Sequence, residues 1–288
     1  MTNIVLDLEW NGTYCPKLSG YFNEIIEIGA VKISPNGEIQ DRFDVLIRPV
    51  VSRKLTPLVT NLTGFTDDDV RKGISFADAM KLLRQFVGDK ALVMTWSNTD
   101  LMVLMENFRY FYEQEEIDFM SAYLDLQQYA QTRLQLGTSQ QVALGKFAKL
   151  LGVYDESVEL HHAIDDSELA ATVLQHVYEP KSFEQAVQTV DGDFYKRLTF
   201  KPTYLKDIHH PLIPRAQLHF SCEDCGKNLK RTDEWRFTHR FFSAHFLCAS
   251  CQTKYLGRVK ARQKYDGVEI KKRLIKQLPT PEKAEEIS

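Results

Sequence analysis

The chain lacks any apolar run near the roughly 20 residues that a membrane helix requires. It also shows no charged, apolar and small-residue leader before its first expected strand at Ile4. Spanning and exported proteins are therefore not expected, and a cytoplasmic protein with no membrane partner is. No internal repeat stands out. Cysteine is scarce: of five, only Cys15 lies outside two close pairs near the carboxyl end, and it reads as a buried or partly buried free thiol. What is present is 43% hydrophobic content in 288 residues, long for one α/β domain and enough for a sizeable core. Two domains are the natural division.

Acids at the two ends of the first 180 residues carry the strongest signal. Ile4-Val-Leu-Asp-Leu-Glu-Trp10 is expected as a strand, in which period-2 alternation sets Val5, Asp7 and Glu9 on one face and Leu6 and Leu8 on the other. Two carboxylates on one face of a buried strand are costly unless cations neutralise them. Asp166 closes His161-His-Ala-Ile-Asp-Asp166, at the head of a helix expected from Ala163 to about Val177. Positions 166, 169, 170, 173, 174 and 177 share a face that is apolar apart from Asp166, whereas Asp165 sits with Glu168, Thr172 and Gln175 on the wet side. Acids in a first turn can simply complement the helix dipole, which suits Asp165 better than Asp166.

In this ordered set the chain resembles the DEDDh 3′-5′ exonucleases, whose ligands come as an Asp-x-Glu, a central Asp, and a His separated by four residues from a final Asp. The likeness spans about residues 3 to 178. It includes Glu24-Ile-Ile-Glu-Ile-Gly-Ala-Val-Lys-Ile33 as a second strand, Leu62-Thr-Gly-Phe-Thr-Asp67 and Val142-Ala-Leu-Gly-Lys-Phe-Ala-Lys-Leu-Leu-Gly152. The resemblance implies a ribonuclease-H-like α/β fold, a mixed sheet flanked by helices. It also implies two Mg²⁺ or Mn²⁺ about 4 Å apart, clamping the attacking and leaving oxygens at phosphorus. Position by position, it implies that Asp7 bridges both cations, Glu9 and Asp166 complete the first and Asp100 supports the second. His161 is then the general base, and His162 a neighbour without a role.

The central acid has two contenders. Asp100 in Thr95-Trp-Ser-Asn-Thr-Asp100 follows the apolar run Ala91-Leu-Val-Met94 and opens a helix expected from Leu101 to Tyr112, the family's place for it. Asp125 in Tyr123-Leu-Asp-Leu126 resembles a later segment with a structural role, and motif order favours Asp100. After Glu9 many members carry a small hydroxyl residue where this chain has Trp10. Trp10 either stacks on a base or sugar of the terminal nucleotide or packs in the core. Leu62 and Thr63 match the segment that lines the terminal-nucleotide pocket in relatives, with Phe65 wedging or packing nearby.

Beyond Val177, Pro and Gly punctuate a stretch expected as a linker, 181–217, with a short helix at about Phe183 to Val190. A module at 218–276 follows. It holds Cys222-Glu-Asp-Cys225 and Cys248-Ala-Ser-Cys251, two pairs 22 residues apart, which is the spacing of a zinc ribbon holding one structural Zn²⁺. Without an export signal, a reducing cytosol favours zinc over disulfides. Trp235, Phe237, Phe241, Phe242 and Phe246 suggest a β-hairpin ribbon with a small apolar core, while His239 and His245 find no vacancy beside four thiolates. Residues 226–276 contain 14 Lys or Arg against four acids, a net of +10 that leaves −13 on the rest of the chain. Such a patch is a footprint for phosphate backbones, or else a solvated face. Residues 277–288 are expected as a disordered tail.

The expected protein has a catalytic domain at 1–180 and is a metal-dependent 3′-5′ exonuclease. It would hydrolyse single-stranded RNA or DNA with a free 3′ end to nucleoside 5′-monophosphates, with the ribbon gripping nucleic acid. Two alternatives stand beside it: a nuclease-like regulatory or scaffold protein that binds ends or a protein partner, and a polymerase proofreading subunit. Four converging acids argue against the first, and the catalytic domain alone leaves the second open. No motif marks a contact to the 2′-hydroxyl, so RNA and DNA are equally compatible. The motifs name no protein partner.

Overall fold

A computed structural model describes residues 1–137, 140–154 and 161–277. The chain divides into two units, Met1–Leu198 and the residues from Thr199 on. The sheet of the first unit contains β1 (Thr2–Cys15), β2 (Gly20–Ile33), β3 (Ile39–Leu46), β4 (Ala91–Thr95), β5 (Met120–Asp125) and β6 (Gln188–Thr189), in the order β3-β2-β1-β4-β5-β6. β1 runs antiparallel to β2 but parallel to β4, so the sheet is mixed. α1 (Pro57–Thr63) and α2 (Asp67–Arg71) follow β3.

Strand alternation distributes side chains to two cores. Ile4, Leu6 and Leu8 join Ile25, Ile28 and Ala30 beneath α3 (Phe76–Val87) and α4 (Asn98–Tyr112). Val5, with Val31, Leu92 and Met94, packs beneath α5 (Leu126–Arg133), α6 (Leu144–Leu151) and α7 (Ala163–Val177). Each fully buried aliphatic side chain contributes about 1.5–3 kcal/mol. The result is the expected α/β fold, a mixed sheet flanked by helices. No helix among the described residues is long and apolar enough to cross a membrane.

One glycine sets how α7 meets the sheet. A Cβ at Gly29 would lie 2.1 Å from the Ala163 carbonyl carbon and from the Ile164 nitrogen, so only a residue without one admits the helix. The buried Ser167 hydroxyl donates to the Gly29 carbonyl at 3.0 Å. Small residues bring the helix close along one side, and its buried stripe runs through Ala163, Ser167, Ala170, Ala171, Val173, Leu174 and Val177. The expected stripe is therefore rotated: Leu169 and Asp166 are only partly buried, at its margin.

The stretch expected as a linker, 181–217, is structured and shared between the units. α8 (Pro180–Ala186) starts before the expected short helix, because the Glu179 carboxylate accepts the N–H groups of Lys181 and Ser182 and Pro180 suits a first helical position. β6 pairs with β5. In α9 (Gly192–Thr199), Phe194 and Tyr195 enter the first core, and the Tyr195 hydroxyl accepts the Ile117 N–H at 2.9 Å. The first unit thus extends to Leu198 rather than 180.

The second unit begins before 218, since Leu205, Ile208 and Ile213 are buried in its core. Its strands are β7 (Thr203–Tyr204), β8 (Lys230–Arg231), β9 (Arg236–Thr238), β10 (Phe241–Leu247), β11 (Lys254–Lys264) and β12 (Gly267–Lys276). The sheet runs β12-β11-β10-β8, with β7 on β11 and β9 on β10. Tyr255, Val259 and Ala261 of β11 pack with Phe220, Phe242 and Phe246. Of the expected tail, Gln277 still donates to the Lys254 carbonyl; residues 278–288 lie outside the described residues.

Candidate active site

Asp7, Glu9, Glu27, Asp100 and Asp166 meet at the carboxyl end of the parallel β1–β4 pair, the crevice where open α/β sheets bind ligands. Asp7 and Glu9 come from β1, opposite Gly29 and Glu27 of β2. Asp100 sits in the first turn of α4, directly after β4. Its carboxylate accepts the N–H of Leu8 as well as its own, which ties it to β1 between Asp7 and Glu9. Asp166 lies in the first turn of α7, whose start is fixed by Gly29, the residue paired with Asp7.

Negative charge here is poorly compensated. Burial first, then Asp100, Asp166, Glu9 and Glu27, push Asp7 well above the usual carboxylate range. Burial and the carboxylates of Asp166, Glu27 and Asp100 push Glu9 up to about 8. Asp100 rises to about 7 because burial outweighs its two hydrogen bonds. Asp166 is raised by burial despite the nearby His161, and its Oδ1 is buried with no hydrogen-bond partner. Ligand atoms of Glu9, His161 and Asp166 all lie within 4.8 Å of one another. An orphaned acceptor among like charges, with hard oxygen donors, fits Mg²⁺ or Mn²⁺.

The two histidines diverge. His161 is exposed, next to Glu9 and Asp166, with a φ of +92° that costs a non-glycine residue of order 1–3 kcal/mol. His162 instead puts Nδ1 3.5 Å from Glu27 Oε1 and its ring edge against Phe65, centroids 4.9 Å apart. Glu27 was not singled out from the sequence. It accepts the Ala163 N–H on Oε2 at 2.9 Å, an acid at the N-terminus of α7 where the dipole favours it. Burial still drives it up to about 7. The available signal is an acid set between Ile25, Ile26 and Ile28 in the buried stretch of β2.

Asp125, the rival to Asp100, caps α5 by accepting the Gln128 N–H at 2.9 Å. Trp10 follows a bulge between Glu9 and Trp10, is partly buried and packs against the core that contains Leu6 and Leu8. The Thr63 hydroxyl is occupied, donating to the Val59 carbonyl and accepting the Phe65 N–H. Leu62 is exposed, whereas Phe65 packs beside Ile26, Leu55 and Val70. The start of α1 is held to β1 by Asn11, which accepts the Thr56 N–H and donates to the Lys54 carbonyl. A cavity of about 350 Å³ adjoins His161 and Asp166, walled by Leu144, Lys146 and Lys149 of α6 and by Tyr154. No sequence motif marks these wall residues as part of the site.

In the second unit the Sγ atoms of Cys222, Cys225, Cys248 and Cys251 lie within 4.8 Å of one another, and no disulfide joins them. Two matching turns present them: Gly226 N–H donates to Cys222 O, and Gln252 N–H to Cys248 O, each at 2.9 Å. The cluster fits a zinc ribbon.

A mixed sheet whose central strand offers two acids to acids at two helix N-termini defines a nuclease of the DEDDh kind. Residues 4–174 match the exonuclease (RNase_T) family, and the chain belongs to it. It is 32% identical over 108 residues to the probable 3′-5′ exonuclease KapD of Bacillus subtilis, covering 36% of this chain and 51% of KapD. It is 29% identical over 204 residues to the PolC-type DNA polymerase III of Bacillus cereus, 68% of this chain and 13% of the polymerase. The chain thus spans about half or less of the length of these relatives. The nuclease domain of 3′hExo, a DEDDh family member bound to rAMP, shares the fold with a TM-score of 0.52 at 21% identity, over 60% of this chain and 88% of that one. Cell-death related nuclease 4 does so with a TM-score of 0.52 at 19% identity, over 65% of each chain.

Proposed function

We propose that this protein is a 3′-5′ exonuclease that hydrolyses single-stranded RNA or DNA from a free 3′ end to nucleoside 5′-monophosphates. The observation that supports this best is the convergence of Asp7, Glu9, Asp100 and Asp166 with raised carboxyl pKa values and an unpartnered Asp166 oxygen. A binding scaffold has no use for so much uncompensated charge. Asp7, which faces the other three, would hold both of two Mg²⁺ or Mn²⁺; Glu9 and Asp166 would complete the first and Asp100 support the second. When bound, the cations supply charge stabilisation for in-line displacement at phosphorus.

The residues of the chain then divide the remaining work. His161 takes the proton of the water whose oxygen attacks phosphorus, a role for which imidazole is the side chain best matched near neutral pH. The 3′-oxygen of the penultimate nucleotide leaves, and a 5′-monophosphate departs. Glu27 and His162 fix the start of α7 and so aim Asp166 and His161. Exposed Leu62, with Thr63 and Phe65 holding its helix end, borders the terminal nucleotide. Cys222, Cys225, Cys248 and Cys251 hold one structural Zn²⁺, and the cytoplasm, which keeps thiols reduced, suits them.

The test is degradation of 3′- and 5′-labelled single-stranded RNA and DNA side by side, with Mg²⁺ or Mn²⁺. The 3′ label should leave at once as a mononucleotide while the 5′-labelled strand shortens stepwise. Internal fragments or an intact 3′ label would reject the reading. The likeness to PolC-type polymerases favours a second reading, proofreading, which predicts preference for DNA with a mismatched 3′ end.

A further inference from the structure

One face of β11 is core, and the other presents Arg258, Lys260, Arg262 and Lys264 at alternate positions. On β12, Arg258 is opposite Arg273, Lys260 opposite Lys271, and Arg262 opposite Glu269. Two rings stand among these cations. The Arg258 guanidinium lies 4.6 Å, and Lys260 Nζ 5.4 Å, from the Phe241 centroid. Tyr204 of β7 has Lys260 at 4.9 Å, Arg240 at 5.2 Å and Arg262 at 5.9 Å. Glu269 is held by Lys264 at 3.5 Å and Lys271 at 3.3 Å. Like charges two residues apart on a strand repel, and the ring faces, the Tyr204 hydroxyl bonded to Lys260 and Arg240, and the Glu269 carboxylate together hold this row in place. The Nε atoms of Arg258 and Arg262 are buried and have no hydrogen-bond partner, donors without an acceptor.

We infer that this face is a phosphate track for a single strand of nucleic acid, a binding site of the second unit in its own right that stands whether or not the hydrolytic reading does. Same-face residues of a strand recur at roughly 6.7 Å, an interval similar to that between consecutive phosphates of an extended single strand. A duplex winds its phosphates away from such a row. The net of +10 over residues 226–276 supplies the complementary charge. Tyr204 and Phe241 are positioning residues: their faces, with the Tyr204 hydroxyl, keep the cations aligned.

The test uses full-length protein carrying Asp7→Asn, so that a long oligothymidylate probe is bound without being cut, with affinity measured against salt. Arg258→Gln/Lys260→Gln/Arg262→Gln should flatten the slope of log affinity on log salt by about 2, at about 0.7 for each phosphate that is no longer neutralised, and weaken binding at least tenfold. Lys81→Gln/Lys90→Gln/Lys181→Gln, the same charge loss at exposed positions of the first unit, should leave both unchanged. Lys260→Gln alone, at a half-exposed position, should flatten the slope by about 0.7 and keeps the test readable if the triple variant misfolds. Tyr204→Leu, which removes both ring and hydroxyl, should bind severalfold more weakly than the parent, and Tyr204→Phe, which keeps the ring but loses the hydroxyl's bonds to Lys260 and Arg240, should fall between the two. Oligothymidylate binding unaltered by Lys260→Gln, as an acidic protein partner for this face would require, overturns the proposal. So does an equal effect on a duplex of the same length.

Discussion

In the first unit, Asp7, Glu9, Asp100 and Asp166 press together where water is scarce, and burial lifts their pKa values. In the second, Arg258, Lys260 and Arg262 stand on a sheet face with aromatic rings between them. Both regions concentrate charge of one sign, but dielectric separates them. Buried like charges interact strongly and demand a compact counter-charge, whereas partly solvated ones are screened and suit an extended polyanion. The first arrangement suits chemistry at one phosphorus. The second suits holding a chain of phosphates.

The sharpest way to break the comparison is Asp7→Asn, which removes the acid facing all the others. Cleavage should fall below detection while the circular dichroism spectrum and oligonucleotide binding persist; near wild-type turnover with ample Mg²⁺ or Mn²⁺ would contradict the assignment. Next, His161→Ala should lower turnover by roughly a hundred- to ten-thousand-fold with little change in metal affinity. His162→Ala should do much less, acting only through the start of α7. Equal losses in steady-state kinetics would mean that position in the turn, not chemistry, distinguishes the pair.

Gly29→Ala tests whether α7 must lie against the sheet. With a Cβ 2.1 Å from backbone atoms of α7, the helix has to shift. Overpacking of this kind costs about 1–3 kcal/mol, occasionally more, and should displace Asp166 and His161 together. Urea denaturation and turnover should both suffer; loss of one without the other would uncouple the helix contact from the site.

The smallest expected effect is a pH dependence of stability. Carboxyl groups whose folded pKa is raised favour the folded state fully below their unfolded values, about 4, and lose that contribution as pH rises through the folded ones. For Glu9 and Asp100 those lie at about 8 and about 7. Protein stripped of divalent cations should therefore melt lower at about pH 8 than at about pH 5. Added Mg²⁺ or Mn²⁺ should restore the midpoint at the higher pH by binding only the native state. Asp7→Asn should shrink both changes in differential scanning fluorimetry, and an identical profile would exonerate the acid cluster.

Much of the site was readable because its signals are local. Asp7 and Glu9 share a face through the two-residue period of a strand, and the cysteines pair through short knuckles. The helical period points to Asp166 but leaves the stripe slightly rotated, since the contact of Ser167 with Gly29 spans more than a hundred residues. Glu27 escaped for the same reason: its role exists only once β2 pairs with β1 and α7 lands on both. The stretch 181–217 reads as a linker because its polar composition hides α8, β6, α9 and β7, short elements that bury few residues, Phe194 and Tyr195 among them.

Sequence alone determined the chemistry this chain can carry: the acids, the His161 spacing, the thiol pairs and the excess of Lys and Arg beyond residue 226 are properties of neighbours within a turn or a strand. Tertiary structure decided which of these meet and in what surroundings. The close approach allowed at Gly29, the packing of a partly buried Trp10 against the core, and the gathering of Tyr204, Phe241 and alternate cations of β11 on one face all depend on pairing between distant segments. The alternating pattern of a strand selects which side chains share a face, but which distant segment pairs with it, and so how deeply that face is buried, is decided only in the assembled sheet.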